Sequence, residues 1–173
     1  MLKIKKIIEL YKKVQKIPYY CLTEKDPDLL LKKNKGSCSE KHLFLGKEFE
    51  KLGIPVKYLL IRFDWNDLPI PKEIIRKRKD GSVGWHLALK IKLKNKWIYT
   101  DATWDPKLAK TGFPVTKNWS GLSDTKFAVP QKQIIELEGR PPKQVKRYKN
   151  RKFYEALNKW LELKRKNAKN KGD

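Results

Sequence analysis

The chain has 173 residues, enough for one domain with a substantial core, and its formal net charge is +23. Six Trp, seven Tyr and six Phe offset a hydrophobic content of only 39%, which excludes disorder of the whole chain. The charge favours an anionic partner such as nucleic acid, or else reflects a solvated surface rich in lysine. Because lysine outnumbers arginine, loose electrostatic binding is favoured over base-specific recognition.

Apolar residues recur at helical spacing over residues 3–15, with lysines on the other face, and predict a first helix that ends before Pro18. This N-terminal segment has no apolar core of a secretory signal, and no stretch is long enough to span a bilayer. With only two cysteines in the chain, we expect a cytoplasmic protein. A disulfide between Cys21 and Cys38 is conceivable, but it would silence the nucleophile proposed below.

A second helix is predicted from Cys38 to about Leu52, with Gly53 as a suitable residue to end it. Ser37 can cap this helix, and Glu40 completes a Ser-x-x-Glu capping box. Cys38 then occupies the first helical position, where free backbone N–H groups and the helix dipole favour a thiolate. One stripe of this helix faces the core, and its members recur at steps of four, three, four and three: Cys38, His42, Leu45, Phe49 and Leu52.

Residues 56–63, 85–93 and 97–103 are rich in strand-forming residues, and 131–138 adds a short strand. If Lys94 and Asn95 form a two-residue turn, paired positions place Asp101 opposite Ala88. Asp101 and His86 are then diagonal neighbours on one face, with Cα atoms about 7–8 Å apart. A shift of one residue in register would place Asp101 on the wrong face.

These three side chains suit a thiol enzyme. Cys38 would be the nucleophile, and His86 would accept its proton and later protonate the leaving group. Asp101 would orient the imidazole and stabilise its charged form. The backbone N–H of Cys38 is one candidate donor to an oxyanion, and the pattern indicates no second donor.

Four segments together resemble the transglutaminase-like superfamily: residues 36–42, 52–56, 85–88 and 97–106. The resemblance covers roughly residues 20–110 and includes the order Cys, His, Asp. It implies an α+β, papain-like fold in which a helix bearing the cysteine packs on an antiparallel sheet carrying His and Asp. It also implies acyl transfer from an amide through a thioester, without a metal or other cofactor. The calcium sites and flanking β-domains of animal cross-linking members have no visible counterpart here.

We predict that this domain spans residues 1–138 and that residues 139–173 form a basic C-terminal helix and flexible tail. The helix should dock on the domain, since one face is apolar: Phe153, Leu157, Trp160 and Leu161. Residues 167–173 are expected to be disordered.

Other residues near the predicted triad have simpler interpretations. Trp85 and Trp104 flank the predicted base and acid, so we expect both in a substrate cleft. His42 is interpreted as a satisfied core histidine rather than a second base or a metal ligand. Cys21 is interpreted as structural, and Asp105, before Pro106, as a turn residue rather than the triad acid.

The leading hypothesis is a thiol enzyme acting on amide bonds of a peptide or protein, either in the main chain or in a glutamine side chain. Hydrolysis is favoured over cross-linking because water needs no second binding site. One alternative is a non-catalytic module that binds nucleic acid or protein through its basic surface. Another is an adaptor that holds peptides in its cleft.

Overall fold

The computed structural model describes residues 2–21, 26–141 and 148–169, and shows an α+β fold around a four-stranded antiparallel sheet of order β3-β2-β1-β4. The strands are β1 (Val56–Asp64), β2 (Val83–Leu93), β3 (Lys96–Thr100) and β4 (Gln133–Glu136). The helices are α1 (Leu2–Lys16), α2 (Leu30–Lys33), α3 (Cys38–Lys51), α4 (Lys72–Ile75) and α5 (Arg151–Lys169).

The hairpin register predicted from the sequence is confirmed. Leu93 pairs with Lys96 and Leu89 with Thr100, around a two-residue turn. Both turn residues, Lys94 and Asn95, have positive φ angles of 47° and 63°, as a hairpin turn matched to the strand twist requires. The register therefore continues toward Asp101 on the face that carries His86.

The sheet is covered on opposite faces at its two ends. Where β1 and β2 lie near the hairpin turn, α1 and α3 cover the face of Leu89 and Ile91. Toward the start of β2, the other face is buried, and Ala88 packs there in a core that includes Phe153 and Leu157 of α5. This change of covered face leaves part of the sheet open near the hairpin turn.

Two predicted boundaries are wrong. The second hairpin strand ends at Thr100 rather than 103, because the Ala102 N–H bonds to the His42 ring instead of to β2. The C-terminal helix continues through Lys169, so the expected disorder of residues 167–173 fails at 167–169, while 170–173 lie outside the described residues. Within the described ranges, no helix has the length and apolarity that crossing a bilayer requires.

Candidate active site

The start of α3 forms as the sequence predicts. Ser37 is the N-cap in an extended conformation, and the Glu40 carboxylate accepts a hydrogen bond from the Ser37 N–H at 2.9 Å. The capping box is complete, and both residues are buried. Cys38 is the first helical residue, so the positive end of the α3 dipole lies at its thiol.

His86 and Asp101 form a buried pair. Nε2 of His86 lies 2.7 Å from Oδ2 of Asp101, and the imidazole also makes a hydrogen-bond contact with the Cys38 side chain. Since Nε2 faces the carboxylate, Nδ1 is the nitrogen left to exchange a proton with sulfur. The structure thus brings together Cys38, His86 and Asp101, the three residues selected from the sequence.

Burial alone would lower the pKa of His86, but the Asp101 carboxylate and hydrogen bonds with Asp101 and Cys38 outweigh it and raise the pKa to about 10. Burial would likewise raise the pKa of Asp101, yet the imidazolium and its hydrogen bond hold that pKa well below its usual range. The geometry therefore favours imidazolium and carboxylate, with the imidazolium positioned to stabilise a thiolate.

The backbone around Asp101 fixes the carboxylate. Oδ2 also accepts from the Ala128 N–H at 2.8 Å, and Oδ1 accepts from the Thr103 N–H at 3.1 Å. The Asp101 N–H donates to the Thr125 hydroxyl, and its carbonyl accepts from the Tyr11 hydroxyl. These bonds come from segments far apart in sequence, and they orient the carboxylate toward His86.

His42 is a core histidine, as interpreted from the sequence. It is fully buried, and its Nε2 accepts a hydrogen bond from the Ala102 N–H at 2.9 Å. Burial lowers the pKa of His42 to about 4, although nearby Asp101 opposes the shift. The ring is therefore neutral at pH 7, with its proton on Nδ1, and it serves as an acceptor that shapes the turn after β3.

His42, His86 and Asp101 offer potential metal-ligating atoms within 4.8 Å of one another. A metal ion there would compete with existing bonds, because Nε2 of His42 accepts from Ala102 and Asp101 accepts from three N–H groups. The cluster is better suited to holding and moving protons than to ligating a metal.

Lys41 is a buried residue that the sequence interpretation missed. Its ammonium donates to three carbonyls, those of Ile17 at 2.8 Å, Thr103 at 2.7 Å and Gln15 at 3.3 Å. Burial lowers its pKa to about 7, opposed by the carboxylates of Asp105 and Asp101. Lys41 joins the end of α1, the start of α3 and the segment after β3, but in a lysine-rich chain nothing in the sequence distinguishes it.

A cleft of about 520 Å³ opens beside Cys38. Its lining includes Tyr19, Cys21 and Trp85, and the Trp85 side chain is 48% exposed, in agreement with its predicted place. Cys21 and Cys38 are not joined by a disulfide. Cys21 is buried and held through its backbone by Asn158, whose side chain bonds both the N–H and the carbonyl at 2.9 Å.

Two further predictions need correction. Trp104 is only 3% exposed and packs against Tyr19 and Phe113, so it is a core residue and does not line the cleft. Asp105 does more than shape a turn, because its carboxylate pairs with Arg165 of α5 at 2.8 Å and accepts the Tyr19 N–H. No local pattern predicts this pair, which joins residues 60 positions apart.

The His86 and Asp101 pair predicts a pH-dependent contribution to stability. The pKa of His86 is higher in the folded chain than its usual 6.5, so its stabilisation should be complete below pH 6.5 and disappear as pH rises through about 10. Urea unfolding of the wild type and of His86→Asn from pH 6 to about 10.5 measures this contribution. The difference in unfolding free energy should shrink with pH, and a constant difference would contradict the charged pair.

No known protein-family model matches the sequence, and no curated protein is significantly similar to it. The case for a function therefore comes from the geometry of the site and from the motifs in the sequence.

Proposed function

We propose that this chain is a thiol enzyme that acts on amide bonds of peptides or proteins through a thioester acyl-enzyme. The observation that carries the proposal is the buried contact chain from Cys38 to His86 to Asp101 at the N-terminus of α3. A histidine with only a structural role would not need an acid fixed by two backbone N–H donors on one side of its ring and a half-buried thiol on the other.

The proposed steps conserve atoms and charge. The Cys38 thiolate attacks the amide carbonyl, and a C–S bond forms as the carbonyl electrons move to oxygen. The Cys38 N–H, at the N-terminus of α3, is the proposed donor to this oxyanion. His86 donates its proton to the departing amine as the carbonyl re-forms and the C–N bond breaks. It then takes a proton from water as the water oxygen adds to the thioester carbonyl, and the C–S bond breaks to release the acid and restore the Cys38 thiolate.

The edge of β2 beside the cleft supports an extended peptide as substrate. Among the described residues, β3 pairs with residues 89–93, and no strand pairs with the start of β2 on that side. In an antiparallel sheet, the backbone groups of successive residues point to alternate sides of the strand. The Lys92 N–H donates to the Pro55 carbonyl, so the even-numbered residues of β2 direct their backbone groups to β1. Trp85 therefore directs its N–H and carbonyl to the open edge, where the described residues provide no backbone partner.

A peptide that paired with this edge would pass between Trp85 and the start of α3, with an amide next to the sulfur. The Arg78 guanidinium donates a hydrogen bond to the Val83 carbonyl at 3.2 Å. A bound peptide could therefore pair only with the part of the β2 edge beside His86. The resemblance to transglutaminase-like proteins points to the same chemistry and the same papain-like arrangement. Hydrolysis is favoured over cross-linking because water needs no second binding site.

A peptide mixture from digested cell protein, incubated with wild type or with Cys38→Ala, tests this proposal. New peptide termini would report cleavage, ammonia release would report deamidation of glutamine, and hydroxamates formed with added hydroxylamine would report transfer. We expect at least one of these products with the wild type alone. Identical product profiles for both proteins would contradict enzymatic activity.

A further inference from the structure

The open half of the sheet, opposite α1 and α3 near the hairpin turn, carries a basic and aromatic surface. We call it the hairpin face, and it consists of Lys57, Lys90, Lys92, Trp97 and Tyr99. Strand registers place them on one side, because Lys90 lies opposite both Lys57 and Tyr99, and Lys92 lies opposite Trp97. All five are half-buried or exposed, whereas Leu89 and Ile91 on the other side are fully buried.

We propose that the hairpin face binds single-stranded nucleic acid. Trp97 and Tyr99 are two residues apart on β3, so their rings stand about 7 Å apart along the strand. Proteins that bind single strands without sequence preference stack the bases on aromatic rings of an open sheet. Lysines beside those rings neutralise the phosphates. The hairpin face presents both groups on a single surface.

The charges on this surface are complementary to a polyanion. The Lys57 ammonium lies 5.0 Å from the centre of the Trp97 ring, and the Lys90 ammonium lies 5.9 Å from Trp97 and 5.6 Å from Tyr99. Glu136 is the carboxylate paired with Lys57 and Lys90. The hairpin face has three lysines against this one carboxylate, so its net charge is positive.

A single strand fits the surface better than a duplex. Tyr99 packs against Phe127 with ring centres 5.0 Å apart, and the ammonium groups of Lys57 and Lys90 lie over the Trp97 ring. Such rings can meet the face of an unpaired base but not bases stacked inside a duplex. Asp124, which bonds the Tyr99 N–H at 3.0 Å, adds negative charge at one rim of the surface.

Fluorescence anisotropy with a labelled oligodeoxythymidine of about 12 nucleotides tests the proposal, with a duplex of equal length and heparin as comparison probes. Trp97→Leu and Tyr99→Leu should each weaken oligonucleotide binding about tenfold, because stacking is lost. Trp97→Phe and Tyr99→Phe retain a ring and should bind nearly as the wild type does. Neither leucine variant should alter the weaker binding of heparin.

Charge variants separate this surface from the general basicity of the chain. Lys90→Gln with Lys92→Gln should reduce affinity more than Lys12→Gln with Lys13→Gln, an equal loss of charge on the exposed face of α1. Undetectable oligonucleotide binding at low salt, or equal effects of the two lysine pairs, would overturn the proposal. So would leucine variants that bind as the wild type, or heparin and duplex binding as tight as that of the single strand. Circular dichroism identifies a variant that fails to fold. If one leucine variant is misfolded, the oligonucleotide affinity of the other leucine variant tests the proposal.

Discussion

Replacing His86 with Ala should slow the alkylation of Cys38 by iodoacetamide at pH 7 by at least about tenfold. An ordinary cysteine is only a few per cent thiolate at this pH, whereas Cys38 lies between an imidazolium and a helix N-terminus that both favour the anion. Turnover of any amide substrate should fall further, by about 100-fold or more, because His86 also protonates the leaving group. Peptide mass spectrometry after timed alkylation measures the labelling rate.

Cys21 is an internal control in the same molecule, because it is buried and its thiol is hydrogen-bonded to the Tyr19 hydroxyl at 3.2 Å. Asp101→Asn should also slow Cys38 labelling, since the imidazolium loses the carboxylate that stabilises it. The wild-type rate at Cys38 should change little between pH 6 and 8, while a free thiol reacts about tenfold faster per pH unit. Similar, slow rates at both cysteines would refute an activated Cys38.

Replacing Arg165 with Met should destabilise the chain by about 3–5 kcal/mol, the usual cost of breaking a buried ion pair. The guanidinium contacts the Asp105 carboxylate through Nε and Nη2, at 3.0 and 2.8 Å, and also donates to the Tyr19 carbonyl at 2.8 Å. Without Arg165, Asp105 would remain as a buried charge with only the Tyr19 N–H as a close partner among the described contacts. Urea unfolding measures the loss.

A second substitution distinguishes an ion pair from simple packing. Arg165→Met combined with Asp105→Asn should be more stable than Arg165→Met alone, because the uncompensated charge is gone. Arg151→Met is a matched control in the same helix, since its pair with Glu155 is exposed on both sides and should contribute little. If the double variant is no more stable than the single one, the buried charge is not the cause.

Much of the candidate site could be predicted because its parts are local. A capping box fixes the start of α3 within four residues, and a two-residue turn fixes the register that relates His86 to Asp101. Both are short-range rules that the chain obeys wherever it folds. The stripe that includes Cys38 and His42 follows from helical periodicity in the same way.

The contacts that the sequence could not reveal are long-range and polar. Lys41 bonds to carbonyls 24 and 62 positions away, and Arg165 bonds to Asp105 across 60 positions, in a chain with 42 lysines and arginines. No local rule marks which of these cations is buried. The burial of Trp104 is also not predictable from local rules, because the turn after Asp101 and the packing against Phe113 decide which way its ring points.

The sequence by itself determined which residues could react, because periodicity, capping and turn chemistry act over a few residues and need no knowledge of the rest of the chain. The tertiary structure alone decided that α3 starts beside His86, that β3 stops early and leaves the edge of β2 open, and that buried charges hold these parts together. Those outcomes depend on which distant segments exclude water from one another, and that is a property of the packed chain.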